Sequence, residues 1–216
     1  MQILYEDNHL IALVKPCGIA VMGLPAGQET LLTQTKAYIK VKYNKPGEVY
    51  LGVVSRLDVP VSGVVLFART SKAAARINEQ FRTHTVEKIY AALVEGFVQP
   101  PEDECIDRLE NDKRHRKVHI TDNLSGKESL LRYKTLRRIG KNTLLEINLQ
   151  TGRKHQIRLQ LSSRGYPILG DIKYGSRLSF RDGIALHAWK LRFDHPITKE
   201  RIELVAELPS FGILQR

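Results

Sequence analysis

The chain has 216 residues, 42% of them hydrophobic, enough to bury a sizeable core in a single domain or two closely joined lobes. Its net charge of +11 points to a polyanionic partner, and its two cysteines, Cys17 and Cys105, lie too far apart for a cysteine metal motif and read as thiols in a reducing compartment. No segment approaches the run of about 18 apolar residues that spans a membrane, and Met1-Gln2-Ile3-Leu4-Tyr5-Glu6-Asp7 has neither the basic start nor the apolar stretch of a secretion signal. The expected setting is soluble and cytoplasmic.

In chain order, Ile3–Tyr5 and Leu10–Val14 around Asp7-Asn8 read as a β-hairpin closed by Lys15-Pro16-Cys17-Gly18. Thr30 to Tyr43 has helical spacing, with Leu31, Thr35, Tyr38 and Lys42 near one stripe and Asn44-Lys45-Pro46-Gly47 as the stop. Strands are expected at Tyr50–Val54 and Val64–Arg69. A helix then follows, capped by Ser71 and running to about Arg82, with Ala74, Ile77 and Phe81 at helical spacing. Lys88–Val94 is another strand and Pro100-Pro101 a loop. The chain is expected to form a single domain, and Gly96 to Asp103 is where lobes 1–98 and 99–216 would meet. Beyond that point the pattern turns strongly β, at Val118–Thr121, Leu130–Arg137, Thr143–Leu149, Ile184–Phe193 and Arg201–Ala206, with one helix at His155–Arg164. Many strands, few helices and no regular βαβ alternation predict an α+β fold, its mixed, mostly antiparallel central sheet flanked by helices and loops.

The charge is unevenly spread. Arg132 to Arg177 contains eleven Lys/Arg against Glu146 and Asp171, and a basic face of this kind is the footprint of nucleic acid. An acidic membrane is the competitor, but no amphipathic basic helix with a long apolar face accompanies the charge. His115 and His119 in His115-Arg116-Lys117-Val118-His119 are expected on a strand, where they are not adjacent ligands, so a basic edge touching phosphate is the plainer reading than a metal site. The chain has no P-loop, G-x-G-x-x-G, H-E-x-x-H, C-x-x-C or G-x-S-x-G. No cofactor or metal is therefore expected, and chemistry would run on side chains alone.

Two blocks stand out. In Ser55-Arg56-Leu57-Asp58, Arg56 and Asp58 would share one face of the strand they extend. A neighbouring guanidinium keeps a carboxylate ionised, as a carboxylate nucleophile requires, although the same residues would also make a plain surface ion pair. In Thr151-Gly152-Arg153-Lys154-His155-Gln156-Ile157-Arg158 a strand enters a glycine turn and a helix starts among cations. The N–H groups at a helix start suit an anion, which makes Arg153, Lys154, His155 and Gln156 candidate substrate-binding residues. Equally, Ile157 and Leu161 read as the core face beneath solvated cations. Gly165 to Gly175 reads as a structured loop bracing the site, with Asp171 structural rather than catalytic. By spacing, Tyr90 is core or half-buried and Leu186 is core.

Together these blocks resemble the RluA-type pseudouridine synthases over nearly the whole chain. Lys15-Pro16-Cys17-Gly18 matches that family's K-P-x-G, and Arg56 to Gly63 matches its H-R-L-D-x-x-x-S-G from the Arg onward. Lys88 to Gly96 matches K-x-Y-x-A-x-V-x-G, and Thr151 to Arg158 matches T-G-R-x-H-Q-I-R. Pro167 to Gly175 matches P-I-L-G-D-x-x-Y-G, and Leu186 to Pro196 matches L-H-A-x-x-L-x-F-x-H-P. The resemblance implies the pseudouridine synthase catalytic fold, with a cleft carrying the catalytic Asp, and a cofactor-independent isomerase that converts uridine in ribosomal or transfer RNA to pseudouridine. It implies Asp58 as the catalytic Asp, Tyr90 as the aromatic stacking on the target uracil, and Arg158 as the cation positioning the Asp. Arg56 would fill the gap left by the flipped base, and Leu186 would line the pocket.

The chemistry agrees. An N1–C1′ bond is exchanged for a C5–C1′ bond within one nucleotide, so no redox partner is needed. The carboxylate acts at C6, at C1′ or on the C2′ proton, and Tyr90 is a candidate for handling the proton that leaves C5. The sequence departs from the family pattern at Ser55, where His is usual, at Val59-Pro60-Val61, where the turn is usually more polar, at Lys154, which replaces a small hydroxyl residue, and at Gln160, which replaces a common His. With the catalytic pattern beginning at once and no S4-like domain ahead of it, RNA selection is expected from the domain's own basic face, acting as a monomer. Two other readings differ in product: a non-catalytic RNA-binding module would make none, and a hydrolase acting through Asp58 would release uracil.

Overall fold

Apolar runs without polar alternation, such as Leu10–Val14 and Val64–Ala68, are stable as strands only when both faces are covered. The computed structural model, which describes residues 1–25, 27–112, 117–181 and 183–211, provides that cover. The chain divides into two units, Met1–Val86 with Ala188–Glu207, and Glu87–His187 with the segment from Leu208. In the first, β1 (Gln2–Glu6) and β2 (Leu10–Lys15) form the expected hairpin. They are followed by α1 (Leu31–Lys42), β3 (Gly52–Val53), β4 (Ser62–Ala68) and α2 (Ser71–Arg82). β2 pairs antiparallel with β4, Leu10 opposite Ala68 and Lys15 opposite Gly63. Leu10, Ala12, Leu66 and Ala68 face one way and pack with Ala73 and Ile77 of α2. Ile11, Leu13, Val65 and Phe67 face the other way and pack with Leu31 and Ile39 of α1. Each large buried side chain in these layers contributes about 1.5–3 kcal/mol.

Local chemistry sets the helix ends. Thr30 caps α1 by a reciprocal exchange with Thr33, each hydroxyl accepting the other's backbone N–H. α2 is capped by Thr70 rather than by Ser71: the Thr70 hydroxyl accepts from the Ala73 N–H at 3.1 Å, and Ser71 is already the first helical residue. The strand expected over Tyr50–Val54 is shorter than its apolar run. Only Gly52 and Val53 pair with β4, because the Ser55 hydroxyl accepts the Leu66 N–H at 2.8 Å and ends the ladder.

The second unit contains β5 (Glu87–Glu95), β6 (Glu102–Asp112), β7 (Lys117–Ile120), β8 (Lys127–Ile139), β9 (Asn142–Leu149), α3 (Gln156–Ser163) and a 3₁₀ turn at Ile172–Tyr174. Its strands pair antiparallel in the order β5-β9-β8-β6-β7. β6 has no counterpart among the expected strands. α3 is anchored by buried Ile157 and Leu161 and by Gln160, whose amide nitrogen lies 3.1 Å from the Cys105 carbonyl oxygen and 2.6 Å from Asp107. β10 (Leu186–Asp194) begins in the second unit and continues in the first, where β11 (Arg201–Val205) pairs with it. The division does not coincide with lobes 1–98 and 99–216: β5 belongs with β9, its antiparallel partner, and residues 188–207 return to the first unit. The architecture is α+β, as expected. Among the described residues no helix is long and apolar enough to cross a membrane.

Candidate active site

Arg56 and Asp58 lie on an irregular segment beyond β3, not on a strand, so strand alternation does not put them on one face. Arg56 is exposed and Asp58 half-buried. The backbone after Asp58 is held from the turn that follows β2. Lys15 is 0% exposed, and its ammonium donates to the carbonyl oxygens of Pro16 at 2.8 Å, Ile19 at 2.9 Å and Val59 at 3.1 Å. Three protons thus meet three acceptors. The Gly18 N–H reaches the same Val59 oxygen at 2.9 Å, the Cys17 thiol donates to the Pro60 carbonyl at 3.3 Å, and the Val61 N–H closes a turn onto the Asp58 carbonyl at 3.1 Å. Burial pushes the Lys15 ammonium down to about 8, while the negative field of Cys17 and Asp58 works to keep it charged. Gly63 has φ +116°, and a Cβ there would collide with the Ala188 backbone, which explains a glycine after Ser62.

The second block is held by its own side chains. The Gln156 carbonyl oxygen accepts from the Thr151 hydroxyl at 2.8 Å and the Arg153 N–H at 3.0 Å, while its amide donates to Gln160 at 3.1 Å. At 2% exposure, Gln156 therefore braces the turn with its side-chain amide. His155 takes the left-handed conformation at φ 54°, and its Nδ1 lies 2.7 Å from the Tyr174 hydroxyl. Arg158 is 6% exposed. It forms a two-pronged pair with Asp171 at 2.7 and 2.9 Å and lies 5.0 Å over the Tyr174 ring. Asp171 is thus structural, as expected. Arg153 and Lys154 are exposed. With Lys127, Asn111, Leu109 and Val118 they line a pocket of about 200 Å³ whose three cations suit an anion.

Tyr90 is half-buried on β5, opposite Ile147, and Leu186 is buried at the start of β10. Lys88, two residues before Tyr90 and so on the same face of β5, donates to the Gln150 carbonyl at 3.2 Å. Burial, and then the charge of Arg153, push it down to about 8. Lys15 and Lys88 were legible only as members of motifs. The available signal was a lysine ending a wholly apolar strand, or sharing the alternation of a candidate aromatic. By unit, Arg56 and Asp58 fall in the first, and Tyr90, Arg153 to Arg158 and Leu186 in the second.

The block Arg132–Arg177 is not one basic face. Arg132 pairs with Glu104, Lys134 with Glu146, Arg158 with Asp171 and Arg164 with Asp107. The exposed cations on β9's flanks separate into Arg137, Arg138 and Lys141 at one end and Arg153 and Lys154 at the other. His115 lies outside the described residues, and His119 faces Glu110 at 3.9 Å. Among the described residues no cluster of three or more His, Cys, Asp or Glu is arranged to hold a metal.

Residues 9–163 match the family described as RNA pseudouridylate synthase. Uncharacterized RNA pseudouridine synthase YlyB of Bacillus subtilis is 34% identical over 211 residues, covering 97% of this chain and 69% of that protein. Ribosomal large subunit pseudouridine synthase D of Zymomonas mobilis is 31% identical over 222 residues, covering 97% and 69%. The solved structure of human RNA pseudouridylate synthase domain containing 4 matches with TM-score 0.80 at 26% identity, covering 97% of this chain and 89% of that one.

Proposed function

The chain belongs to the RNA pseudouridylate synthase family, isomerases of uridine in RNA, and on that premise we propose that it modifies uridine in ribosomal or transfer RNA through Asp58. The observation that carries this reading is the Asp58 loop. The backbone just after Asp58 is pinned by Lys15 and Gly18 at the Val59 carbonyl and by Cys17 at the Pro60 carbonyl. A preorganised backbone keeps the reacting group in place. The ribosomal reading is supported by relatives named as large-subunit synthases.

In this reading the target uridine leaves its stack, Arg56 occupies the gap and Tyr90 stacks on the extruded ring. The Asp58 carboxylate acts at C6, at C1′ or on the C2′ proton. The N1–C1′ bond breaks, the base turns and C5–C1′ forms. N1 takes up a proton and C5 loses one, with Tyr90 handling the latter. The phenol is aided by the positive field of Lys88 on the same strand face. Arg158 offers its charge to the Asp58 carboxylate in addition to its pairing with Asp171, Leu186 lines the base pocket, and Arg153, Lys154 and His155 take backbone phosphate.

The test is tritium release from RNA labelled at C5 of uridine. The parent should release tritium from ribosomal or transfer RNA. Asp58→Asn should keep its RNA affinity and lose about 10²–10⁴-fold in rate. Parental turnover by Asp58→Asn would remove Asp58 from the chemistry. Tight binding without any release would favour the non-catalytic module.

A further inference from the structure

At the end of the second unit remote from the Thr151–Arg158 turn, β8 outruns its neighbour. Its pairing with β6 ends at Lys134, opposite Glu102, and among the described residues Arg137 to Ile139 pair with β9 alone. A register shift between Thr135 and Arg137 makes Leu136 a bulged residue. The bulge breaks strict alternation, so Leu136, Arg137 and Arg138 are all exposed. Gly140, at φ 58°, opens the two-residue turn that carries exposed Lys141.

Phe97, just beyond β5, is 50% exposed, and the Arg138 guanidinium lies 4.6 Å over its ring. A planar cation held on an aromatic face presents a flat, positive stacking surface, the type of surface on which unpaired bases settle. Acids elsewhere on this sheet pair with nearby cations, but among the described residues Arg137, Arg138 and Lys141 have no ion pair. The acid closest in sequence to Phe97, Glu95, instead accepts from the Ser176 hydroxyl and the Arg177 N–H. Phe97 lies beyond the end of β5, and the five strand steps from Tyr90 to Glu95 alone span roughly 17 Å, so this patch is not part of the surroundings of Tyr90.

We propose that Phe97, Arg138, Arg137 and Lys141 form a second RNA-contact site. It takes unpaired nucleotides several positions away from the modified uridine, one base stacking on the Arg138–Phe97 pair and adjacent phosphates lying on Arg137 and Lys141. The inference rests on the reading of the chain as an RNA-modifying enzyme, but binding tests it separately from turnover. The probes are a fluorescent ten-nucleotide oligo(A) and an RNA duplex of the same length. Phe97→Ala should weaken oligo(A) binding by about 5- to 150-fold, the range for loss of one base–aromatic stack, and Phe97→Trp should restore it. Its effect on the duplex should be small. Arg137→Ala with Lys141→Ala, on exposed side chains whose loss spares the core, should weaken both probes and flatten the salt dependence.

At saturating substrate RNA, tritium release by these variants should match the parent, whereas Asp58→Asn should show the reverse pattern of intact binding and lost release. Parental affinity for oligo(A) in both the Phe97→Ala and the double variant would overturn the proposal. So would equal losses on oligo(A) and duplex with Phe97→Ala, since a stacking site discriminates between them. If no RNA yields tritium yet Phe97→Ala still loses oligo(A), the catalytic reading fails and the contact site stands.

Discussion

The segments 54–60 and 151–158 both carry candidate catalytic or binding residues on irregular backbone, yet they are fixed in opposite ways. Val59 and Pro60 are gripped from outside, by the Lys15 ammonium, the Gly18 N–H and the Cys17 thiol, all acting on carbonyl oxygens. The 151–158 turn grips itself: Gln156 bonds to Thr151 and Arg153, and Arg158 is locked to Asp171. In the first segment the grip falls on backbone carbonyls, apart from the Ser55 hydroxyl that ends the β3–β4 ladder. In the second, side chains themselves are committed to holding the turn, so only part of a conspicuous motif is left facing solvent, chiefly Arg153 and Lys154. Motif residues of equal prominence in sequence therefore carry unequal duties.

The sharpest way to break this contrast is at Asp171. Asp171→Ala leaves the Arg158 guanidinium buried without its carboxylate and should cost about 3–5 kcal/mol, measured by urea unfolding. Replacing both partners by apolar residues, Arg158→Met with Asp171→Leu, should recover most of that stability. If turnover stays lost in the double variant, Arg158 also serves the reaction. If it returns, Arg158 only holds the turn.

Lys15→Met should cost somewhat less. It strands the carbonyls of Pro16 and Ile19, at about 1 kcal/mol each, while Val59 keeps the Gly18 N–H. Unlike Asp171→Ala, it should lower kcat well below the folded fraction, because the loop it frees carries Asp58. A loss of activity that merely tracks unfolding would mean the clamp has no bearing on the reacting group.

A further effect is on pH dependence. Lys15 and Lys88 titrate near 8 in the folded protein, below the ordinary lysine value of 10.5. Between those values the unfolded chain binds more protons than the folded one, so stability should rise with pH from about 8 to 10.5. The cost of burying these ammonium groups is fully present below 8. Urea titrations at pH 7, 8.5 and 10 should show the rise in the parent and a smaller one in Lys15→Met. An identical rise in both would mean that Lys15 does not titrate in this range.

Much of the fold was legible because local chemistry and tertiary structure agree. The hairpin, the three helices and the apolar strands announced themselves through period, caps and breakers. β6 did not: in Glu102–Asp112 only Cys105 and Leu109 are buried, four residues apart, a spacing that fits one face of a strand and one face of a helix alike. It is a strand because β8 and β7 flank it and satisfy its backbone on both sides. The same strand explains why the basic block misled, since Glu104 and Asp107 neutralise Arg132 and Arg164 from far away in sequence. Ser55 looked like a departure of unknown consequence, and the structure gives it a backbone task at the end of the β3–β4 ladder.

By itself the sequence determined the α+β class, the order of most elements and the family. These depend on residue types and on spacing along one chain. Which side chains are used up in holding the site, which charges are cancelled, and where a bulge and an aromatic ring meet were decided by tertiary structure alone. Ion pairing and hydrogen bonding act over a few ångströms through space, between residues whose separation in sequence carries no trace of that proximity.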